Sequence, residues 1–382
     1  MSELASESMW MAHPLPRMDV AGRVDRLRSH LGESGCDALL VTCLANIRYL
    51  TGFTGSAALL LVRADDELVF VTDGRYRDQS AEELGAAGID ARCEVHATAA
   101  AQRAALAASL GGVGRLGPEA AQVTWSAARN YEGELDAELV PTDGVVEALR
   151  AVKDEGEVAR IEAAGAIADA ALAETRALLA ERPTERALQL ALAGAPYHPI
   201  TAHLNFETIV ASGPNGAKPH ARPSGRRIED GDLVVLDFGA LVDGYHSDMT
   251  RTVLVGEGSS TQERMLEVVG ASQAAGVAAV APGVACAEVD RTCREAIAAS
   301  GWADAFLHGT GHGVGLDIHE EPRVSSSATG TLAVGHVVTV EPGVYLPEHG
   351  GVRIEDTVVV TPDGCRPLTA APKSVAHSPT PS

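Results

Sequence analysis

Basic residues are in short supply. The chain of 382 residues carries 30 Lys and Arg against 52 Asp and Glu, a formal charge of −22. Such a field repels phosphate backbones and anionic bilayers, which argues against nucleic acid and membranes as partners. Cysteine is sparse as well: Cys36, Cys43, Cys93, Cys286, Cys293 and Cys365 include no C-x-x-C pair. That is too few for a disulfide framework in a chain this long, so reduced thiols and a cytoplasmic setting are expected. Cys286 and Cys293, in a helical stretch, read as small buried hydrophobes. No apolar run reaches the roughly 18 residues of a membrane span. Residues 1–16 lack the basic start and apolar core of a signal peptide and read as a flexible arm. Residues 371–382, with Pro, Ser and Thr, read as a flexible tail.

What is present suits a globular protein. Hydrophobic residues make up 46% of the chain, and the length favours two or three domains. Residues 17–150 read as α/β. A helix is expected over residues 19–35 from the spacing of Val20, Val24, Leu27 and Leu31. A buried strand follows at 38–42, then a hairpin of 59–62 with 68–71 around Asp65-Asp66, and a helix opened by Asp73-Gly74-Arg75-Tyr76. A boundary falls near residue 150, where an Ala- and Glu-rich stretch predicts one long helix to about residue 179. Residues 151–370 form the second domain, with helices at 261–280 and 285–300 between two groups of strands. Ten of the thirteen histidines follow residue 153, which directs attention to this half.

Two hairpins there each offer a pair of carboxylates. The apolar strand Leu233-Val234-Val235-Leu236-Asp237-Phe238 is interrupted by one Asp, and Asp243-Gly244 marks a turn before the strand at 245–255. A turn centred on residues 242 and 243 sets Asp237 opposite Asp248, on one face of the ribbon. Later, Glu341 in the strand 336–345 and Glu355 in the strand 351–360 flank the loop Pro347-Glu348-His349-Gly350. A turn centred on residue 348 sets those two opposite each other. Like charges face to face destabilise a sheet, and each buried unpaired carboxylate costs several kcal/mol. A divalent cation between them removes the conflict, and hard oxygen donors favour Mn²⁺, Mg²⁺ or Co²⁺.

The histidines point the same way. Leu307-His308-Gly309-Thr310-Gly311-His312-Gly313 is a Gly-rich loop where backbone can approach a ligand, without the G-K-[ST] ending of a phosphate loop. His312 is the best nitrogen ligand, and His319 follows within twelve residues of His308. His220 ends a turn-rich stretch, residues 211–220, expected to be a surface loop. His246, His336 and His349 read as structural or solvated.

Phe206-Glu207-Thr208-Ile209-Val210-Ala211-Ser212-Gly213, Leu236-Asp237-Phe238-Gly239, His246-Ser247-Asp248-Met249-Thr250-Arg251, His308-Gly309-Thr310-Gly311-His312, Val340-Glu341-Pro342-Gly343 and Arg353-Ile354-Glu355-Asp356 together resemble the M24-type metallopeptidases. Within that family the likeness is to the Xaa-Pro aminopeptidase and Xaa-Pro dipeptidase (prolidase) branch. Asn46-Ile47-Arg48-Tyr49-Leu50-Thr51-Gly52-Phe53-Thr54-Gly55-Ser56 resembles that family's creatinase-like accessory domain. The resemblance implies an α/β N-terminal creatinase-like domain plus an α+β C-terminal "pita-bread" catalytic domain. Residues 190–204, with Pro196 and Pro199, depart from the family pattern.

The resemblance also implies roles. Two divalent ions, Mn²⁺ first, with Co²⁺ or Zn²⁺ as alternatives, would be held by Asp237, Asp248, His312, Glu341 and Glu355. Glu341 would also act as general base, and His220 and His319 would stabilise the intermediate or handle protons. His308, Arg323 and Arg353 would support ligands or bind substrate, with Arg323 a candidate for a substrate carboxylate. The implied substrate is a proline-containing peptide, cleaved between an N-terminal residue and a following proline by a homodimeric enzyme. The alternatives are a dipeptidase restricted to Xaa-Pro, a non-catalytic binding module on the same fold, and metal-free creatine-type hydrolysis, which leaves the carboxylate set without a purpose.

Overall fold

In the computed structural model, which describes residues 14–194, 203–204, 208–373 and 376–377, the chain divides into two compact units. One is residues 18–150; the other is the rest of the described chain. Most of the expected arm and tail, and also Pro196, Pro199, Phe206 and Glu207, lie outside the described residues.

The unit 18–150 is built from α1 (Arg23–Ser34), β1 (Ala38–Val41), α2 (Leu44–Thr51), β2 (Ala58–Arg63), β3 (Leu68–Thr72), α3 (Arg77–Ala87), β4 (Arg92–Val95), α4 (Ala99–Ala108), β5 (Arg115–Pro118), α5 (Trp125–Glu134), β6 (Glu138–Leu139) and α6 (Val145–Ala151). The strands form one mixed sheet in the order β4-β3-β2-β1-β5-β6. β1 and β3 are buried along their whole length, as expected of strands covered on both faces. The helical spacing of Val24, Leu27 and Leu31 buries one stripe of α1, and the hairpin of β2 and β3 turns at Asp65-Asp66.

In the second unit, the long helix expected from residue 149 is divided. Asp154 adopts an extended conformation, and its side chain and that of Glu157 cap each other's backbone N–H groups. This capping box starts a new helix, α7 (Glu155–Thr175). α8 spans Glu185–Gly194. The strands are β7 (His203–Leu204), β8 (Ile209–Ser212), β9 (Leu233–Phe238), β10 (Ala240–Val242), β11 (Tyr245–His246), β12 (Met249–Val255), β13 (Gly311–Gly313), β14 (Glu320–Val324), β15 (Val337–Val340), β16 (Gly343–Leu346), β17 (Gly350–Arg353), β18 (Asp356–Thr361), β19 (Gly364–Pro367) and β20 (Ala376–His377). Between β12 and β13 run α9 (Ser260–Ala279) and α10 (Cys286–Ala298). Among the described residues the strands order as β11-β10-β7, β20-β12-β9-β8, β14-β13-β15-β18-β19 and β16-β17.

Strand alternation sorts core from site. Val234, Leu236 and Phe238 of β9, with Met249 and Val253 of β12, pack on Ala168, Leu172, Leu188 and Leu192 of α7 and α8. The period of two turns Asp237 and Thr250 to the opposite face. A second core joins Met265 and Val269 of α9, and Val289 and Cys293 of α10, to Val338, Val340 and Val358. Cys286 and Cys293 are both fully buried there.

The first hairpin register differs from expectation by two residues. Val242 pairs with Tyr245 across Asp243-Gly244, both with positive φ, 48° and 81°, the conformation of a type I′ turn. Asp237 therefore pairs with Thr250, not Asp248. A shift of two preserves the face of each side chain, so the two aspartates are diagonal neighbours. In the second hairpin Val340 pairs with Asp356 and Gly343 with Arg353, the expected register. Each expected strand is split, however, leaving Glu341 and Glu355 opposite each other in the break between two ladders.

Candidate metal centre

The break has a cause and a use. Freed from their own ladder, the Glu341 N–H donates to the Thr310 carbonyl at 2.7 Å and the Glu355 N–H to that of Thr250 at 3.1 Å. The hairpin is thereby stitched to the His312 segment on one side and, on the other, to β12, which begins just after Asp248 in the break that separates it from β11. His312 lies within β13, not in a loop. The neighbouring glycines serve strand packing: a Cβ on Gly311 would meet the Thr339 carbonyl at 2.0 Å, and one on Gly313 the Glu321 carbonyl at 2.2 Å. Residues 211–220 are likewise only partly a surface loop, since Ala211 and Ser212 are buried in β8.

The structure brings Asp237, Asp248, His312, Glu341, Glu355, His220, His308, His319, Arg323 and Arg353 to one cavity of about 600 Å³. Asp248, His312 and Glu355, all buried, each offer a donor atom within 4.8 Å of the others. His312 Nε2 is 3.6 Å from Asp248 Oδ2 and 3.3 Å from Glu341 Oε1. Its Nδ1 faces the Gly313 carbonyl at 3.0 Å, which leaves Nε2 as the nitrogen aimed at the carboxylates. Arg353 donates to Asp237 at 2.5 Å, to Thr250 Oγ1 at 3.1 Å and to the Tyr345 hydroxyl at 2.9 Å. Thr250 in turn donates to Glu355 at 2.6 Å, and Thr339 to Glu341 at 3.2 Å. Both nitrogens of His308 are engaged, with Tyr345 and the Gly309 carbonyl at 2.8 Å each, which leaves neither for a metal ion. His319 stands edge-on to His312, ring centres 4.3 Å apart.

The electrostatics are strained. Burial, then the charges of Glu355, Asp237 and Glu341, push the Asp248 carboxyl well above the ordinary range. Burial, then Glu341 and Asp237, do the same to Glu355. Asp237 is raised by burial, with Arg353 opposing. Burial would raise Glu341 also, but the contact with His312 and the charges of His308 and Arg353 hold it at about 2. His319 is brought down to about 4 by burial and by its neighbours His312 and Arg323, so it is neutral at physiological pH.

Among the described residues, Asp248 Oδ1 and Glu355 Oε1 are buried without a hydrogen-bond partner. Orphaned carboxylate oxygens carry a desolvation cost that a bound cation would offset. Oxygen donors with one imidazole fit a hard or borderline divalent ion. The residues therefore fit metal ions.

Tyr345, Thr250 and Thr339 were not singled out from the sequence. The two threonines lie two residues from Asp248 and Glu341, so strand alternation alone would have placed them on the same face. Tyr345 had no comparable signal.

Comparison with known proteins agrees with this geometry. Residues 159–362 match metallopeptidase family M24, and residues 23–152 match the Creatinase/Prolidase N-terminal domain. The chain is 40% identical to the uncharacterized peptidase YqhT of Bacillus subtilis over 92% of its own length and 99% of that protein. The solved Xaa-Pro dipeptidase from Bacillus anthracis superposes with a TM-score of 0.87 at 36% identity, covering 94% of this chain and 99% of that one. The X-Pro aminopeptidase from Thermotoga maritima gives 0.81 at 32% identity, covering 93% and 99%. Fold and site thus define a metal-dependent hydrolase, and the chain belongs to metallopeptidase family M24, with a creatinase/prolidase-type N-terminal domain.

Proposed function

We propose that this protein hydrolyses the bond between an N-terminal residue and a following proline, using two divalent ions, Mn²⁺ first, held by Asp237, Asp248, His312, Glu341 and Glu355. The observation that carries the metal reading is the pair of buried oxygens, Asp248 Oδ1 and Glu355 Oε1, that have no hydrogen-bond partner among the described residues, beside His312. Proline enters through the relatives named Xaa-Pro dipeptidase and X-Pro aminopeptidase. Bound ions supply a water of lowered pKa and polarise the scissile carbonyl.

The chain's own groups do the rest. Glu341, ionised at neutral pH, accepts the proton of the attacking water. His319, neutral, donates a hydrogen bond to the developing oxyanion or relays to the leaving nitrogen the proton that Glu341 has accepted, taking one up as it gives one, and His220 faces the same space. Arg353 holds Asp237 in place, and His308 holds Tyr345 against Arg353. An Xaa-Pro bond has no N–H on its scissile nitrogen, so the site needs no acceptor for one.

A dipeptidase is the second reading, favoured by the exposed Arg323 among the residues lining the cavity. We further propose the division into an N-terminal accessory domain and a catalytic domain from about residue 151, a homodimer, and a cytoplasmic setting. The last is supported by six cysteines that are all unpaired. Elemental analysis with assays on Gly-Pro and a longer Xaa-Pro-Yaa peptide tests the function. Two bound ions and cleavage before proline are expected. Cleavage of the dipeptide alone selects the second reading, and neither metal nor cleavage removes both.

A further inference from the structure

We propose that Glu185 is a positioning residue for His220, fastening both ends of the loop that carries that histidine; the inference rests on the catalytic reading of His220 given above. Glu185 opens α8 and is fully buried, far in sequence from the metal-site carboxylates and outside the cavity they line. Its two oxygens serve different ends of residues 212–224. Oε1 accepts from the Ser212 N–H and hydroxyl, both at 2.8 Å, and Oε2 from the Ser224 N–H at 2.9 Å and hydroxyl at 2.6 Å. The Asn215 amide donates to both, at 3.0 and 3.1 Å.

Every one of these partners is a donor, so only an ionised carboxylate satisfies them all. The backbone repeats the grip. The first N–H groups of a helix lack partners of their own, and here those of Glu185 and Arg186 donate to the carbonyls of Arg226 and Ser224. Midway along, Arg353 donates to the Pro219 carbonyl at 3.2 Å, next to His220. The loop is also pressed on the hairpin, since a Cβ on Gly351 would meet the Gly216 carbonyl at 1.9 Å. His220 itself is exposed on the cavity wall with no fastening of its own side chain among the hydrogen bonds described. Its position is therefore set by the loop, and the loop by Glu185.

Glu185→Gln tests this in the full-length Mn²⁺-loaded protein. The amide keeps one acceptor oxygen and turns a donor against the other end of the loop. Faster amide exchange is expected in residues 213–224 but not in 308–312 or 336–345, with bound Mn²⁺ unchanged. On Gly-Pro, kcat should fall about tenfold or more, as misplacement of a reacting group does, with KM moved less than about threefold. The double variant Glu185→Gln/His220→Ala should be no slower than His220→Ala alone, because both remove the same contribution. Unchanged exchange in 213–224, or losses that multiply in the double variant, would overturn the proposal. If His220→Ala is fully active, the catalytic reading of His220 fails first, and this inference with it. Should Glu185→Gln not fold, Ser224→Ala removes one bond to Oε2 and must show the same pattern at smaller size; an unaltered Ser224→Ala then counts against the clamp.

Discussion

Arg353 and Asp237 form a buried ion pair 2.5 Å long, with side chains 4% and 14% exposed, at the edge of a site that also holds Asp248, Glu341 and Glu355. The guanidinium also donates to Thr250 Oγ1, the Tyr345 hydroxyl and the Pro219 carbonyl, and its Nε stands 3.9 Å from Glu341. It cannot neutralise four carboxylates, but it fixes the orientation of one.

Removing that cation should be costly. Breaking a buried pair by deleting one partner leaves an uncompensated charge, at about 3–5 kcal/mol. Arg353→Met should lower the urea midpoint of the metal-free protein accordingly. Asp237→Asn in the same chain should recover part of the loss, since it removes the stranded charge. A wild-type midpoint for Arg353→Met would show that the pair does not stabilise the fold.

The raised carboxyls make metal binding depend on pH. A carboxyl whose folded pKa exceeds its unfolded value, about 4, stabilises the fold below that value, and the contribution is lost as pH rises through the folded pKa. Asp248 and Glu355 are such groups. His319 works in the opposite sense between about 4 and its ordinary value near 6.5. With a folded value of about 4 it is already neutral at pH 5.5 and above, so it takes up or gives up little on metal binding there. The gain in melting temperature on adding Mn²⁺ should therefore be larger at pH 7.5 than at pH 5.5. Binding at the lower pH should release protons, measurable by calorimetry in buffers of different ionisation enthalpy. An equal gain at both values would mean that these carboxyls are already ionised without metal.

How far the site could be read in advance depended on the reach of each contact. Glu341 and Glu355 were legible because a loop centre fixes a hairpin register, and the register held even though Pro342 and its surroundings break the ladder. For Asp237 and Asp248 the sequence places the pairing two residues off, because the turn sits on Asp243-Gly244, one residue further along. The error was harmless only because it was even. An odd shift would have turned Asp237 into the α7 and α8 core. The glycines flanking His312 suggest, in the sequence, room for a ligand, whereas they make room for the carbonyls of Thr339 and Glu321; spacing along one strand carries no information about its neighbours. Glu185 with Ser224, or Asp290 accepting from Thr310 behind the His312 segment at 3.0 Å, join residues 39 and 20 apart. Nothing local in the sequence marks such pairs.

Arg323 decides between the two peptidase readings. It lies exposed on β14, with its N–H bound to Glu321 at 2.9 Å and its side chain lining the cavity. A dipeptide presents its C-terminal carboxylate one residue beyond the scissile bond, where a guanidinium can take both oxygens. A longer peptide has an amide there instead. A hydrogen bond to a charged group is worth about 1.5–3 kcal/mol, which is roughly ten- to hundredfold in binding. Arg323→Gln should then raise KM for Gly-Pro by about that factor with little change in kcat, and leave Gly-Pro amide unaffected. Arg323→Lys should restore only part of the affinity, because an ammonium cannot match the fork of two N–H groups. If Arg323→Gln treats the free acid and the amide alike, Arg323 does not read the carboxylate, and the aminopeptidase reading stands.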